Sequence, residues 1–298
     1  NWTPLASVVS ADGMVQFTTP DPGTARAFYR VILPDANATA VFVAPTFAAN
    51  GNLLLTLNRS YVGSFGGLNT LEVEALTLSA SAGVGGVNVS DDSELEIAGA
   101  AVSVDRVNEQ GASAPVVDGA LLGVSTIGNG AIVLRAQGGA MTVTEAVQAA
   151  GSGNIRLESG MASALLVNAM VSSGWGHISL MSGGSLNLSA DVTTGGEGTI
   201  EIDSPTAGMT QSNGSRITAL NGDVRLSALD DIVLASITTL GNVSLNSTGG
   251  SVMDADTVDV DGVTTGVQDG SPDVVANALR FDVGVGFGLL GFGVDNAI

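Results

Sequence analysis

The stretch Gly153-Asn-Ile-Arg-Leu157 decides the fold, because it returns along the chain with only small changes. The same phrase stands at Gly130-Ala-Ile-Val-Leu134, Gly176-His-Ile-Ser-Leu180, Gly198-Thr-Ile-Glu-Ile202, Gly222-Asp-Val-Arg-Leu226 and Gly241-Asn-Val-Ser-Leu245. Successive leading glycines are 23, 23, 22, 24 and 19 residues apart. A near-fixed period in the twenties marks a solenoid, in which one repeat is one coil that buries its apolar face only by stacking on its neighbours.

Within the phrase, the third and fifth residues are aliphatic and point the same way on a pleated strand, while the residue between them faces solvent. A second short strand follows at Ala140-Met-Thr-Val143, Ala164-Leu-Leu-Val167, Ser185-Leu-Asn-Leu188, Asp231-Ile-Val-Leu234 and Ser251-Val-Met253. A third reads from Met170-Val-Ser-Ser-Gly174, Asp191-Val-Thr-Thr-Gly195 and Ser236-Ile-Thr-Thr-Leu-Gly241. The expected fold is all-β: a right-handed parallel β-helix (β-solenoid) with three short strands per coil of about 22 residues. Roughly nine to eleven coils would then form a rod of about 45–55 Å. The corner glycines are expected to supply positive φ. The leucine-rich signature and a 3.6-residue apolar period are both missing, which sets aside the other repeat folds of this length.

Composition agrees. Hydrophobic residues make up 45% of the 298, enough for a continuous core, and aromatics only 4%, as thin coils require. The 29 acidic and 9 basic residues leave a net charge of −20, which excludes the basic footprint of a nucleic-acid binder. There is no cysteine, so neither a disulfide framework nor thiol chemistry enters. The apolar run Gly284-Val-Gly-Phe-Gly-Leu-Leu-Gly-Phe-Gly-Val294 is far shorter than the ~20 residues of a membrane helix, so no membrane insertion is expected.

Texture divides the chain into three. Residues 1–38 hold Trp2, Phe17, Phe28 and Tyr29 and read as a small strand-rich segment. Asn1-Trp-Thr-Pro-Leu5, Phe17 and Phe28-Tyr-Arg-Val31 there resemble the closing half of a β-sandwich repeat of secreted bacterial proteins, which implies a partial module, a cap or subunit-joining strands. Residues 39–265 are expected to form the parallel β-helix, with Val41-Phe-Val-Ala44 and Leu53-Leu-Leu-Thr-Leu57 as its first strands or its cap. Leu71–Leu78, Gly86–Val89, Glu94–Ile97 and Ala101–Val104 read as less regular coils, and residues 105–120 as a loop leaving one corner. Residues 266–298 form an irregular terminal coil, cap or joining segment. Gly249-Gly-Ser-Val-Met-Asp-Ala-Asp256, Val274–Phe281, Gly284-Val-Gly286 and Asn296-Ala-Ile298 resemble the repeat region of giant bacterial extracellular adhesins, the filamentous-haemagglutinin-like β-helix repeat proteins. With the coil phrases the resemblance spans about residues 125–298. It implies a cell-surface location and a segment of a longer polypeptide.

Few residues offer chemistry. His177 is the sole histidine and occupies an outward slot, the reading being an exposed, inert side chain. Without cysteine or a second histidine, neither a zinc site nor a catalytic triad has its parts. Asp254, Asp256, Asp259 and Asp261 form the densest acidic cluster, and carboxylate oxygens at close spacing are what calcium takes. Alternation in Thr257-Val-Asp-Val-Asp261 offers the plainer reading of a solvent-facing strand. All nine basic residues are arginines; Arg135, Arg156, Glu158, Glu201 and Arg225 are expected to stack as one outer, charge-balanced column. A glycan-binding module would need exposed aromatics along a groove, for which Trp175, Tyr61 and Phe65 are the only candidates near the coils. A polysaccharide-degrading β-helix enzyme would need a carboxylate pair in a cleft. The expectation is a non-enzymatic structural or adhesive rod of a bacterial extracellular surface protein or filament, with no cofactor unless calcium. Its partners would be further solenoid ends joined head-to-tail, or a cell-surface glycan or protein.

Overall fold

Strands of three residues on two faces and up to six on the third set the cross-section of the coil. The computed structural model describes residues 70–255 and 272–287, and the backbone of the strands Met14–Gln16, Val41–Phe42, Thr46–Phe47, Leu53–Asn58 and Tyr61–Val62. The described residues contain no α-helix, hence none long and apolar enough to cross a membrane. The chain divides into two compact units, residues 1–60 and 61–298. In the first, Leu53–Asn58 pairs antiparallel with Met14–Gln16, Thr46–Phe47 and Val41–Phe42. Thus Leu53–Leu57, read from its apolar run as a first strand of the helix or part of its cap, has antiparallel partners. The expected strands at residues 1–9 and 27–31 lie outside the described residues.

The second unit is a parallel β-solenoid. Its first face is built by the repeated phrase: Ile132–Ala136, Ile155–Ser159, Ile178–Met181, Ile200–Ser204, Val224–Ala228 and Asn242–Ser247. These strands pair in parallel with the aliphatics in register, Ile132 on Ile155, Ile178, Ile200, Val224 and Val243 in turn. Met141–Val143, Leu165–Val167 and Leu186–Leu188 belong to the second face, and Val147–Ala149, Val171–Ser173 and Val192–Thr194 to the third. Each three-residue strand sends its outer two residues inward and its middle one outward. The inward set, including Leu134, Met141, Leu157, Leu165, Leu180 and Leu186, is wholly excluded from solvent. Each such side chain stabilises the coil by roughly 1.5–3 kcal/mol.

The three sheets hold ten, nine and eight strands, which makes about eight turns rather than the nine to eleven expected from the period. Two connections consume the difference, and both run from the second face to the third. Other coils make that connection in a few residues, as between Val143 and Val147. The connection from Asp254 to Val274 is one exception, and its residues 256–271 lie outside the described ones. The other is a hairpin, Gly99–Val107 against Ser113–Leu122, entered from Ile97 and left at Val124. The loop expected at 105–120 is therefore ordered antiparallel strand. Ala101–Val104 belongs to its first arm and not to a coil: Val102 and Val104 are 55% and 56% exposed. Asn108 closes the turn, its Oδ1 accepting the N–H groups of Gln110 (3.0 Å) and Ala112 (2.9 Å), with Gly111 at φ +76°.

The leading glycines also differ from expectation. Gly130, Gly153, Gly176, Gly198, Gly222 and Gly241 are not among the residues with positive φ; that conformation falls at Gly128, Gly151 and Gly196, two positions ahead of a leading glycine. What the leading position requires is proximity. A Cβ on Gly153, Gly176 or Gly222 would overlap the carbonyl oxygen of the leading glycine one coil below. Gly176→Ala is accordingly expected to cost about 1–3 kcal/mol by overpacking, read as a lowered thermal midpoint. Gly119→Ala on the hairpin, where a Cβ meets nothing within 4 Å, is expected to leave the midpoint unchanged.

Candidate functional site

The corners of the coils carry the polar side chains, and three kinds of arrangement occupy them. The first is an inward hydroxyl column between the third face and the first. The Oγ of Ser173 donates to Gly153 O (2.7 Å), Thr194 Oγ1 to Gly176 O (2.6 Å) and Thr239 Oγ1 to Gly222 O (2.6 Å). These hydroxyls satisfy the carbonyls of the leading glycines at positions closed to water, where an unpaired acceptor is costly. At the next corner Ser159, Ser182, Ser204 and Ser247 do the same for turn carbonyls, with Ser204 Oγ donating to Gly184 O at 2.7 Å. Gln211, 2% exposed, ties two coils: its Nε2 donates to Ser215 O (2.8 Å) and Ser236 O (2.9 Å), and its Oε1 accepts Ala235 N–H (3.1 Å).

The second arrangement runs along the outer slot after each leading glycine. Asn154 Oδ1 accepts the N–H of His177 (2.8 Å), His177 Nδ1 accepts the N–H of Thr199 (3.1 Å), and Asp223 Oδ1 accepts the N–H of Asn242 (2.7 Å). His177 is exposed as expected, and it is also a rung: acceptance at Nδ1 is the role of an imidazole whose Nδ1 carries no proton. Asn, Asp and His each supply a side-chain acceptor of short reach there, whereas Ala131 in the same slot supplies none.

The third arrangement is charge. Arg156, Glu201 and Arg225 occupy one outward column of the first face, with Ser179 between Arg156 and Glu201. Arg135 and Glu158 occupy the neighbouring column, so the single column expected from sequence is two. Glu158 binds Arg156 at 2.8 Å and Arg135 at 3.9 Å, and Arg225 binds Glu201 at 3.1 Å. All are a third or more exposed, and pairs of that kind contribute about 0–1 kcal/mol each.

Of the acidic cluster, Asp254 ends the second-face strand Ser251–Asp254, while Asp256, Asp259 and Asp261 lie outside the described residues. Among the described residues no three carboxylate or histidine groups converge as metal ligands would. Of the aromatics, Trp175 is 66% exposed, against the turn Gly195–Gly196 of the next coil. Phe65 and the side chain of Tyr61 lie outside the described residues.

One depression is acidic. Glu74, Asp92, Ser93 and Glu94 line an open hollow of about 640 Å³, together with the backbone of Gly138 and Gly139. Beside it Asp91 is fully buried. Its Oδ2 accepts Ala75 N–H (2.8 Å) and its Oδ1 accepts Ser93 N–H (2.8 Å) and Ser93 Oγ–H (2.7 Å). Burial alone would raise the carboxyl's pKa, but the hydrogen bonds from Ser93 and Ala75 outweigh it and hold the group below the usual carboxylate value. Asp91 is thus an ionised anchor for the turn at Ala75, not a proton donor. The hollow draws cations by charge, its lining holding three carboxylates and the Ser93 hydroxyl and no guanidinium.

No family model matches the chain, and neither any curated protein nor any solved structure matches it significantly.

Since folding lowers the Asp91 pKa from about 3.9 in the unfolded chain, its contribution to stability is full above that value and is lost as pH falls through the lower folded value. Asp91→Asn puts an amide donor where only donors converge, at a cost of about 1–3 kcal/mol at pH 7. Denaturation midpoints measured from pH 7 down to about 2.5 are expected to show that gap closing below roughly pH 4.

Proposed function

We propose that this chain is a structural, adhesive rod segment of a bacterial extracellular surface protein or filament, working by stiffness and display instead of catalysis. One observation supports the reading above the others. Every coil interface from Val87 to Leu245 on the first face repeats the same in-register aliphatic stack. Bending such a rod breaks several parallel ladders at once, and at a strand spacing of ~4.8 Å about eight coils extend it by roughly 40 Å. The uncharged polar surface and the acid excess suit an extracellular setting. The family likeness of the coil phrases to giant surface adhesins points the same way.

Solenoid ends are open sheet edges. In this reading they join head-to-tail to further solenoid, in another copy or in a longer chain, with calcium as the candidate ion at the joints and a cell-surface glycan or protein as the adhesive target.

Electron microscopy of the purified protein at neutral pH, with calcium and then with a chelator, tests the assembly. End-to-end fibres of one width are expected, and their loss on chelation would place calcium at the joints. Isolated short particles in both conditions would sink self-assembly.

A further inference from the structure

Among the described residues, the hairpin of Gly99–Val107 and Ser113–Leu122 has no strand on either outer edge. Its bonding parity is set at its two ends, where Asn108 N–H donates to Ala112 O and Gly123 N–H donates to Ala98 O. Cross-strand pairs alternate between bonded and non-bonded, so residues 102, 104 and 106 bond inward to 118, 116 and 114. The same parity holds on both sides of the bulge that sets Gly119 and Ala120 opposite Ala101. Residues 101, 103, 105 and 107 of the first arm therefore turn their N–H and C=O outward, as do 113, 115 and 117 of the second. Position 115 is proline, which has no N–H. The second arm's edge is thus broken at its middle, whereas the first arm's edge keeps a full run of donors and acceptors. Such an edge takes up another strand.

We propose that the strand it takes up is its own counterpart in a second copy of the chain, the two Gly99–Val107 arms pairing antiparallel about a two-fold axis at Val104. Self-complementarity selects this occupant. With the axis at Val104, Ser103 bonds opposite the other copy's Asp105 and Ala101 opposite its Val107, so every outward group from 101 to 107 finds a partner. Cross-strand partners share a side of the sheet. One side of the four-stranded sheet then carries half-buried Val116 and exposed Val104 in a row with their two counterparts, making a continuous apolar stripe. In the rows on either side, Arg106 lies opposite the other copy's Val102, with that copy's Asp118 next along. Two strands separate these opposite charges by about 10 Å, and the arginine stem covers Val102 on the way. Moving the axis to Asp105 would oppose two carboxylates, which disfavours that register. The contact is isologous and closes as a dimer. It rests on the hairpin alone, independently of the rod's proposed role.

The net charge of −20 opposes association at long range, and salt screens that repulsion. Sedimentation velocity of the full chain in about 0.05 M and about 0.5 M NaCl is therefore expected to show a reversible dimer that is tighter at high salt. Ser103→Pro removes an N–H from the edge in use while leaving the hairpin's own ladder intact, and is expected to weaken the dimer at least about tenfold. Val117→Pro makes the same change on the other edge and is expected to leave the dimer as it was. Unchanged far-UV circular dichroism in both variants verifies the fold. A monomer at both salt concentrations overturns the proposal, leaving the edge to a strand of another protein, and so does equal weakening by the two prolines.

Discussion

Coil-to-coil spacing is the constraint from which the rest of the solenoid follows. Parallel strands stack at ~4.8 Å, and the backbone at the corners must repeat at the same distance as the strands. Where the third face turns into the first, the chain of one coil rides on the carbonyl of the coil below, and a Cβ at Gly153 or Gly222 has no place to go. That carbonyl is also shut off from water, so the position inside the corner takes a hydroxyl: Ser173, Thr194 and Thr239. Outside the corner the next N–H is met by Asn154, His177 or Asp223. Glycine, an inward Ser or Thr and an outward acceptor recur at the same height, with gaps where Ala149 and Ala219 carry no hydroxyl and Ala131 no acceptor.

What was legible in the sequence, and what was not, follows from that spacing. The phrase Gly-x-Ile-x-Leu names a strand because its period of two is visible inside five residues, and its return every 23 or so names a coil. The second strands were legible for the same reason, except Met209-Thr-Gln211, where a buried amide stands in an aliphatic slot and hides the pattern. The glycines were legible as corners, but turn chemistry suggested positive φ where the cause is contact between residues more than 20 positions apart. Ala101–Val104 was misplaced since alternation in a free-standing ribbon looks the same as alternation against a core. The spacing held a clue: Gly85 to Gly130 is 45 residues, one coil plus the inserted hairpin.

The polar surface follows a similar logic. Repetition stacks like on like, and in a ladder of identical repeats a charged outward residue would face its own charge above and below. The first face avoids this by alternating sign across coils, Glu201 against Arg225 and Arg135 against Glu158. Most of the acid excess is placed elsewhere, at corners and loops such as Glu74, Asp92 and Glu94, where neighbours are not in register. Asp91 is the exception that proves useful to the fold, because three donors surround it and its charge is spent on holding a turn.

Insertions are tolerated at a corner only if the strands on either side can still find their ladders. Gly123 N–H bonds Ala98 O across the base of the hairpin, so the coil closes as though residues 99–122 were absent. The long connection from Asp254 to Val274 meets the same condition, since Val274 rejoins the third face on Ile237. Both leave between the second and third faces. The first face, with its long strands and paired charges, has no comparable gap: Ile132 to Ala136 follows Gly130 directly. A rod built this way separates its tasks along the sequence. The repeated phrase sets length and stiffness and varies little, while the second-to-third corner carries segments that are free to vary in size without disturbing the core. The edge left open on the hairpin belongs to that freedom: a coil strand inside the solenoid has both edges occupied by its neighbours, so away from the solenoid's ends only a segment standing off it retains a backbone edge to offer.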